Sequence, residues 1–418
     1  MSGAFQAPRG TYDVLPEQAV ARDGVERAAR RVLQAAGYRR IETPAFESTE
    51  LFARSVGAST DIVQKEMYTF EDAGGRSLTL RPEGTAPVCR AYLEHGMHKL
   101  AKPVKLWYLS SFFRYERAQA GRYRQFWQVG AEAIGSDDPS VDAESILLLH
   151  ALLQELGVRD VRLRLSSLGT PETRAVYREK LQAHLRAHSD RLAGEVRERI
   201  DLNPLRAFDS EHAGTQAVMS EAPRLLDELA PDDAEHFATV RALLDAADVA
   251  YEIDPTLVRG LDYYTRTVFE FASDALGAQS GVGGGGRYDG LVEQLGGPRT
   301  PGMGWAAGIE RILLAAEDRP LPEAIVDLYV AREDSADAVV AFGLAAEARR
   351  AGLNVQLELA GRSMKGQLKQ AGRLGARFVA IVGGQEGMRL RDMESGEQES
   401  VDGASAAVAR ALRGRHPA

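Results

Sequence analysis

Hydrophobic positions change their period several times along the chain, and each change marks an expected element. Between 17 and 37, Val20, Val25, Ala28, Val32 and Leu33 recur near helical spacing and Gly37 stands as a C-cap, which predicts an amphipathic helix. From about 40 to 135 short β-rich runs (Leu78 to Leu80, Val104 to Ser110, Gln125 to Ala133) alternate with helical patterns such as Ala86 to His95. No regular βαβ rhythm is present, so an antiparallel sheet with attached helices is expected. From about 172 to 250 the chain turns rich in Ala, Leu, Arg and Glu, with helical periodicity over Glu172 to Ile200, Pro223 to Leu229 and Asp233 to Asp248. Glycine-rich, β-like sequence resumes from about 251 to 308, so the first domain closes around a helical insertion at 172–250.

A boundary falls at Asp318 to Ala324, DRPLPEA, which carries two prolines. Beyond it Asp327 to Ala331 reads as a strand, Ser335 to Ala351 as a helix closed by Gly352 and Leu353 to Leu359 as a strand. Ser363 to Leu374 reads as a helix and Arg377 to Val382 as a strand, the rhythm of an α/β layer domain. The expected domains are 1–320 and 326–418.

Composition narrows the class. The chain has 418 residues, 44% hydrophobic and 27% charged, as in ordinary globular proteins. No signal peptide and no apolar run long enough for a membrane span is present, so the expected setting is the cytoplasm, without membrane contact. Cys89 is the single cysteine, which excludes an intrachain disulfide and a cysteine-based zinc site. His184 and His188 have the i,i+4 spacing of a helical metal pair, but no metalloprotease glutamate lies between them. They read as a solvated helix face, and no protein metal site is expected.

Net charge is −9, yet positive charge is concentrated locally. Lys99 to Arg124 carries seven cations against one acid, Glu116, with Trp107, Tyr108, Phe112, Phe113, Tyr115 and Tyr123 interleaved. Such a mixture holds phosphates and stacks a base. A second cluster, Arg362, Lys365, Lys369 and Arg373, recurs at spacings of three or four and places one-sign charge on one helix face, a candidate nucleic-acid contact. GVGGGG at 281–286 formally fits a dinucleotide loop, but no βαβ unit surrounds it and no P-loop lysine follows; its glycines can instead permit close backbone approach.

Four ordered segments are more specific. LRPEGTAPVCRAYLEHG (80–96), FRYERAQAGRYRQFWQVGAEAIG (113–135), LVRGLDYYTRTVFEF (257–271), and GVGGGGRYDGL with GMGWAAGIERILL (281–291 and 302–314), together resemble the signatures of histidyl-tRNA synthetases. RGTYDVLP (9–16) and GRSMKGQLKQAGRLGARFVAIVGG (361–384) are similar too, so the likeness covers essentially the whole chain. It departs at Ala118, where the family often has proline, and at Trp127, where many members have histidine.

The resemblance implies an α+β fold: a class II synthetase antiparallel sheet core flanked by helices, a helical insertion, and a C-terminal α/β anticodon-binding domain. It implies activation of histidine by ATP, with Mg²⁺, and transfer to the 3′ end of histidine tRNA by a homodimer. Arg114 would bind the α-phosphate, Arg311 and Arg122 the terminal phosphates beside Glu116, and Arg259 would act between the histidine carboxylate and the α-phosphate. Glu83, Thr85, Gln128 and Glu132 would hold the amino acid's polar groups, Tyr263 and Tyr264 would line the imidazole pocket, and Gly84 and Gly304 would permit close backbone approach. Arg117 and Gln119 would read the tRNA acceptor end, and Arg362, Lys365, Lys369 and Arg373 would contact tRNA in the second domain. The competing reading is the synthetase-like regulatory subunit of ATP phosphoribosyltransferase, which shares the core but typically lacks the anticodon domain and the arginine corresponding to Arg259.

Overall fold

The computed structural model describes residues 5–57, 60, 62–117, 119, 121–257, 260–277, 280–316, 326–333, 338–383 and 387–414. It divides into two compact units, Met1–Arg319 and Pro320–Ala418.

In the first unit, helix α1 (Pro16–Ala35) buries Val25, Ala28, Ala29 and Leu33 and starts on a proline, whose fixed φ suits a first helical turn. It stops at Gly37, whose φ of +83° is the left-handed conformation that closes a helix. There follow β1 (Arg39–Arg40), β2 (Phe46–Ser48), α2 (Thr49–Val56), β3 (Tyr68–Glu71), β4 (Ser77–Leu80), α3 (Thr85–Glu94), β5 (Val104–Phe113) and β6 (Gln125–Ile134). Helix α4 (Pro139–Glu155), capped by Asp138 on the Ser140 amide, leads to β7 (Val161–Ser167). Helices α5 (Pro171–Ala187), α6 (Gly194–Arg199), α7 (Ala213–Ser220) and α8 (Pro231–Ala246) come next. The unit closes with β8 (Glu252–Ile253), β9 (Thr265–Ser273), β10 (Gly281–Arg287), α9 (Leu291–Gln294), β11 (Gly302–Gly308) and α10 (Ile309–Ala315).

Eight strands form the main sheet in the order β1-β5-β6-β11-β10-β9-β7-β8. Its six central strands pair antiparallel; only the two-residue edge strands β1 and β8 pair parallel. GVGGGG lies within β10, deep in this sheet, which removes the dinucleotide-loop reading. A Cβ on Gly285 would stand 1.9 Å from the Gly304 carbonyl oxygen, so the strand itself needs bare backbone there.

Side-chain alternation divides the sheet into two faces. Trp107, Leu109, Val129, Ala131, Met303 and Trp305 enter a core with α1, α4 and α8. Leu106, Tyr108, Phe112 and Ile134 point the other way, into a core with Tyr263, Tyr264 and Tyr288. Gln128 and Glu132 follow the even-numbered positions of β6 onto this second face.

The helices of 172–250 do not act as one body. The periodic run from Glu172 to Ile200 breaks after Ala187, where a short 3₁₀ turn at Ser189–Arg191 brings Leu192 and Val196 back onto Leu181 and Leu185 in a separate core. Pro223 to Leu229 reduces to a 3₁₀ turn at Leu225–Glu228. Phe237, Val240 and Leu244 of α8 join the main core instead. Below them the fully buried Arg287 donates to Asp142 (2.9 Å), Asp289 (2.9 Å) and the Ser136 carbonyl (3.0 Å). His236 of α8 shares Asp142 at 2.8 Å. Every charge buried here has a partner, as burial demands.

The second unit comprises β12 (Leu328–Arg332), α11 (Ala338–Arg350), β13 (Val355–Leu357), α12 (Met364–Arg373), β14 (Phe378–Val382), β15 (Arg389–Asp392), β16 (Gln398–Ser400) and α13 (Gly403–Arg413). Its sheet runs β13-β12-β14-β15-β16, parallel over the first three strands and antiparallel over the last two. Leu328, Val330, Phe378 and Ala380 pack with α11 and α13, whereas Tyr329, Val379 and Ile381 face α12. Among the described residues no helix of either unit is long and apolar enough to cross a membrane.

Candidate active site

On the second face of the main sheet lies a cleft of about 380 Å³, built from β5, β6, β9, β10, β11 and the starts of α3 and α10. Glu83, Gly84, Thr85, Arg114, Glu116, Arg122, Gln128, Tyr263, Tyr264 and Arg311 line it, although they span more than two hundred positions of sequence.

At one end are carboxylates and phenols. Glu83 precedes α3 and accepts hydrogen bonds from the Thr85 amide (2.7 Å) and the Ala86 amide (3.0 Å), donors that a helix start leaves unpaired. Burial raises its pKa; those amides and Arg114 oppose the shift. Glu132 is wholly buried, just beneath the cleft wall. It accepts from the hydroxyls of Tyr288 (2.7 Å), Thr85 (2.8 Å) and Tyr108 (3.4 Å). Burial pushes its pKa up to about 8, with the charge of Glu83 adding to the rise, and the three hydroxyl donors do not fully offset it. Bare backbone makes room for this arrangement. A Cβ on Gly304 would fall 1.8 Å from the Glu132 carboxylate, and one on Gly84 or Gly130 would fall 2.5 or 2.4 Å from the Tyr108 ring. The Tyr263 hydroxyl donates to Glu83 at 3.5 Å, and its ring lies tilted against that of Tyr264 with centroids 4.8 Å apart.

The other end is cationic. Arg114 leaves β5, donates from Nε to the Pro82 carbonyl (2.9 Å) and lies 5.4 Å over the Phe126 ring. Glu116 stands between Arg122 (3.2 Å) and Arg114 (3.8 Å). Arg311, on the first turn of α10, donates to the Gly121 and Gly281 carbonyls. Burial first, and then the neighbouring charges of Arg122 and Arg114, pull its pKa below the arginine value, while Glu116 and Glu270 oppose this. Three guanidiniums that repel one another across a cleft form a receptor for a polyanion.

An anchor in the cleft wall went unread in the sequence. Glu310, immediately before Arg311, accepts from the Trp127 amide (3.1 Å), Tyr12 (2.9 Å) and Arg22 (2.7 Å). The amino-terminal segment and α1 are thereby tied to the residue next to Gln128. Burial, and then Glu310 itself, raise the Tyr12 pKa. Tyr108 and Tyr288 were likewise missed as partners of Glu132; their only signal was the set of glycines that clear space for them.

Among the remaining sequence candidates, Arg259 and Ala118 lie outside the described residues. Arg117 and Gln119 are exposed beside the cleft's cationic end, with Gln119 bridged to Arg122 through backbone. In the second unit the basic stripe is shorter than its spacing implies. Arg362 precedes α12 and pairs with the buried Glu358 at 3.2 Å, an acid just upstream of the run. Lys365, Lys369 and Arg373 are exposed on α12 and have no ion pair among the described residues.

Comparisons with known proteins point to one family. The family model described as histidyl-tRNA synthetase matches residues 10–312, and that of an anticodon binding domain matches 330–408. The chain is 48% identical to the histidine–tRNA ligase of Desulforamulus reducens, over 94% of this chain and 96% of the relative. It is 50% identical to that of Halorhodospira halophila, over 94% and 95%. The crystal structure of the apo histidyl-tRNA synthetase of S. aureus superposes with a TM-score of 0.82 at 37% identity, covering 97% of this chain and 99% of that one.

The raised pKa of Glu132 has a consequence for stability. Its folded value of about 8 exceeds the ordinary 4.5, so between these limits the folded state holds a proton that the unfolded chain has lost. That contribution is full below pH 4.5, declines as pH rises, and is gone above about pH 8. The melting temperature should therefore fall between pH 5 and 8. Glu132→Gln should flatten that slope and exceed the parent's melting temperature at pH 8; an unchanged slope in calorimetry at several pH values would refute the assignment to Glu132.

Proposed function

The chain belongs to the histidyl-tRNA synthetase family, and we propose that the cleft is where it activates histidine with ATP before transferring the histidyl group to tRNA. The observation that carries this is one cavity with a carboxylate and phenol pocket at one end and three arginines at the other. An amino acid bearing an ammonium group and a ring N–H fits the first, and a triphosphate fits the second.

In this reading Glu83, Thr85 and Gln128 take the ammonium group, while Glu132, Tyr263 and Tyr264 face the imidazole. The histidine carboxylate then points toward Arg114, with Gly84 and Gly304 leaving room for the ligand to lie against backbone. Its oxygen bonds to the α-phosphorus of ATP as the bond to the β-phosphate oxygen breaks, and pyrophosphate leaves. Arg114 offsets the charge that builds on the α-phosphate; Arg122 and Arg311 hold the departing phosphates. Arg259 is assigned between the carboxylate and the α-phosphate. In the second step a hydroxyl of the terminal tRNA ribose attacks the histidyl carbonyl, and AMP leaves. Arg117 and Gln119 are the side chains assigned to the acceptor end.

Glu116 and Glu270 are the carboxylates that would hold magnesium entering with ATP. Both act on Arg311 and line the cleft, and Mg²⁺ needs only one or two protein carboxylates when phosphates complete its shell. The metal would supply charge neutralisation at the phosphates. We place the reaction in the cytoplasm, with a homodimer as the working form. Exposed Phe46 and Phe70, 6.2 Å apart on the small sheet β2-β4-β3, support such an assembly. The regulatory-subunit alternative lacks such support: the second unit matches an anticodon-binding domain, and near-half identity to ligases extends over 94% of the chain.

ATP–pyrophosphate exchange tested across the twenty amino acids should respond to histidine alone; exchange driven by another amino acid, or by none, would overturn the reading. Arg114→Ala should lower histidine-dependent exchange by about 10², the scale for loss of one charge-stabilising donor, with folding retained by circular dichroism. For the second unit, Lys365→Glu combined with Lys369→Glu should weaken tRNA binding and reduce its salt dependence, because fewer counterions are released. Exchange without tRNA should be unchanged in that variant, and unaltered tRNA affinity would remove α12 from the contact.

A further inference from the structure

Arg266, the second residue of β9, has a φ of +47°, in the left-handed region that an arginine side chain disfavours. Strand pairing slips at this point: Arg287 faces Thr265, whereas Gly286 faces Val268. The Arg266 amide donates to the Gly169 carbonyl (2.8 Å), and its own carbonyl accepts from the Leu168 amide (2.7 Å). Its Nε donates to Asp233 at 2.9 Å. Asp233, 1% exposed in the first turn of α8, also accepts from the Thr170 amide (2.9 Å) and the Thr173 hydroxyl (3.0 Å). One carboxylate thus ties together the start of α5, the start of α8 and the strained residue of β9. Burial works against its charge, but Thr170, Arg266 and Thr173 outweigh that and hold its pKa below the ordinary range.

Tyr264 and Tyr263, which line the cleft, lie two and three residues before Arg266. A single left-handed residue interrupts strand alternation, so it sets the direction in which the preceding chain leaves the sheet. Leu168, beside Arg266, packs against both the core under the cleft and the separate core of the insertion. The junction therefore touches both the amino-acid end of the cleft and the helices that interrupt the domain.

We propose that Asp233 is a positioning residue for histidine: its pairing with Arg266 keeps that residue left-handed and so directs Tyr264 and Tyr263 into the amino-acid pocket. This rests on the ligase reading above. Asp233 itself touches neither substrate; it acts through the backbone of β9.

The test separates positioning from general support by using glycine, which adopts positive φ without strain. Asp233→Ala should raise KM for histidine in ATP–pyrophosphate exchange by about tenfold, the order expected from losing a charge-assisted hydrogen bond, with KM for ATP within about twofold of the parent. Asp233→Ala combined with Arg266→Gly should bring KM for histidine back toward the parent value. If the alanine variant does not fold, Asp233→Asn, which retains an acceptor for Thr170 and Thr173, provides the same comparison. An unchanged KM for histidine in a folded variant would overturn the proposal, as would parallel rises for both substrates or no recovery with glycine. Failure of the parent protein to exchange with histidine would instead sink the ligase reading, so the two failures are distinguishable.

Discussion

The structure is organised around a carboxyl group that, among the described residues, is buried without a cation. Glu132 lies at full burial, held among the described residues by hydroxyl groups, and burial of that kind is costly unless its oxygens are bonded. The three donors come from α3, β5 and the turn after β10, so these elements must converge within hydrogen-bond reach of β6. Gly304 and Gly130 make that convergence possible by leaving the space that side chains would fill. The abundance of glycine in β10 and β11 is thus a packing requirement of the site as well as of the sheet.

Two faces of one sheet then take separate duties. The face bearing Trp107, Val129 and Trp305 is closed by helices and supplies apolar stabilisation. The opposite face carries the polar side chains, and the cleft grades from carboxylates to guanidiniums along it. Glu310 connects the two, since its carboxylate reaches Tyr12, Arg22 of α1 and the Trp127 amide while its chain neighbour Arg311 faces the cleft. Packing on the helical side and charge placement on the cleft side are therefore not independent.

Much of this was legible in the chain because it is local or periodic. The long strands Val104–Phe113 and Gln125–Ile134, helix α1 and the antiparallel character of the sheet follow from alternation and helical spacing. The site candidates came from ordered segments resembling a family, and that route names residues without showing what holds them. Pairings such as Arg287 with Asp142, or Glu310 with Tyr12, join residues far apart in sequence and leave no periodic trace. The hairpin β15–β16 was missed for a related reason: its strands are short and polar, with little alternation to read. The spacing of the α12 stripe likewise could not show that Glu358, just outside the basic run, pairs with Arg362.

On the proposed function, selectivity follows from the same buried acid. At neutral pH the Glu132 carboxyl holds its proton, and with three hydroxyls already around it one hydrogen-bonding position is left for a polar ring atom. On the proposed reading a nitrogen of the imidazole ring takes that place. An aliphatic side chain of similar volume would fill the pocket yet leave that position empty, retaining the cost of burial. A lysine or arginine would bring charge but also the bulk of a longer stem, against a wall formed by the Tyr263 and Tyr264 rings. Discrimination of this kind rests on groups left unpaired by the wrong ligand, and that makes it larger than apolar fit alone provides.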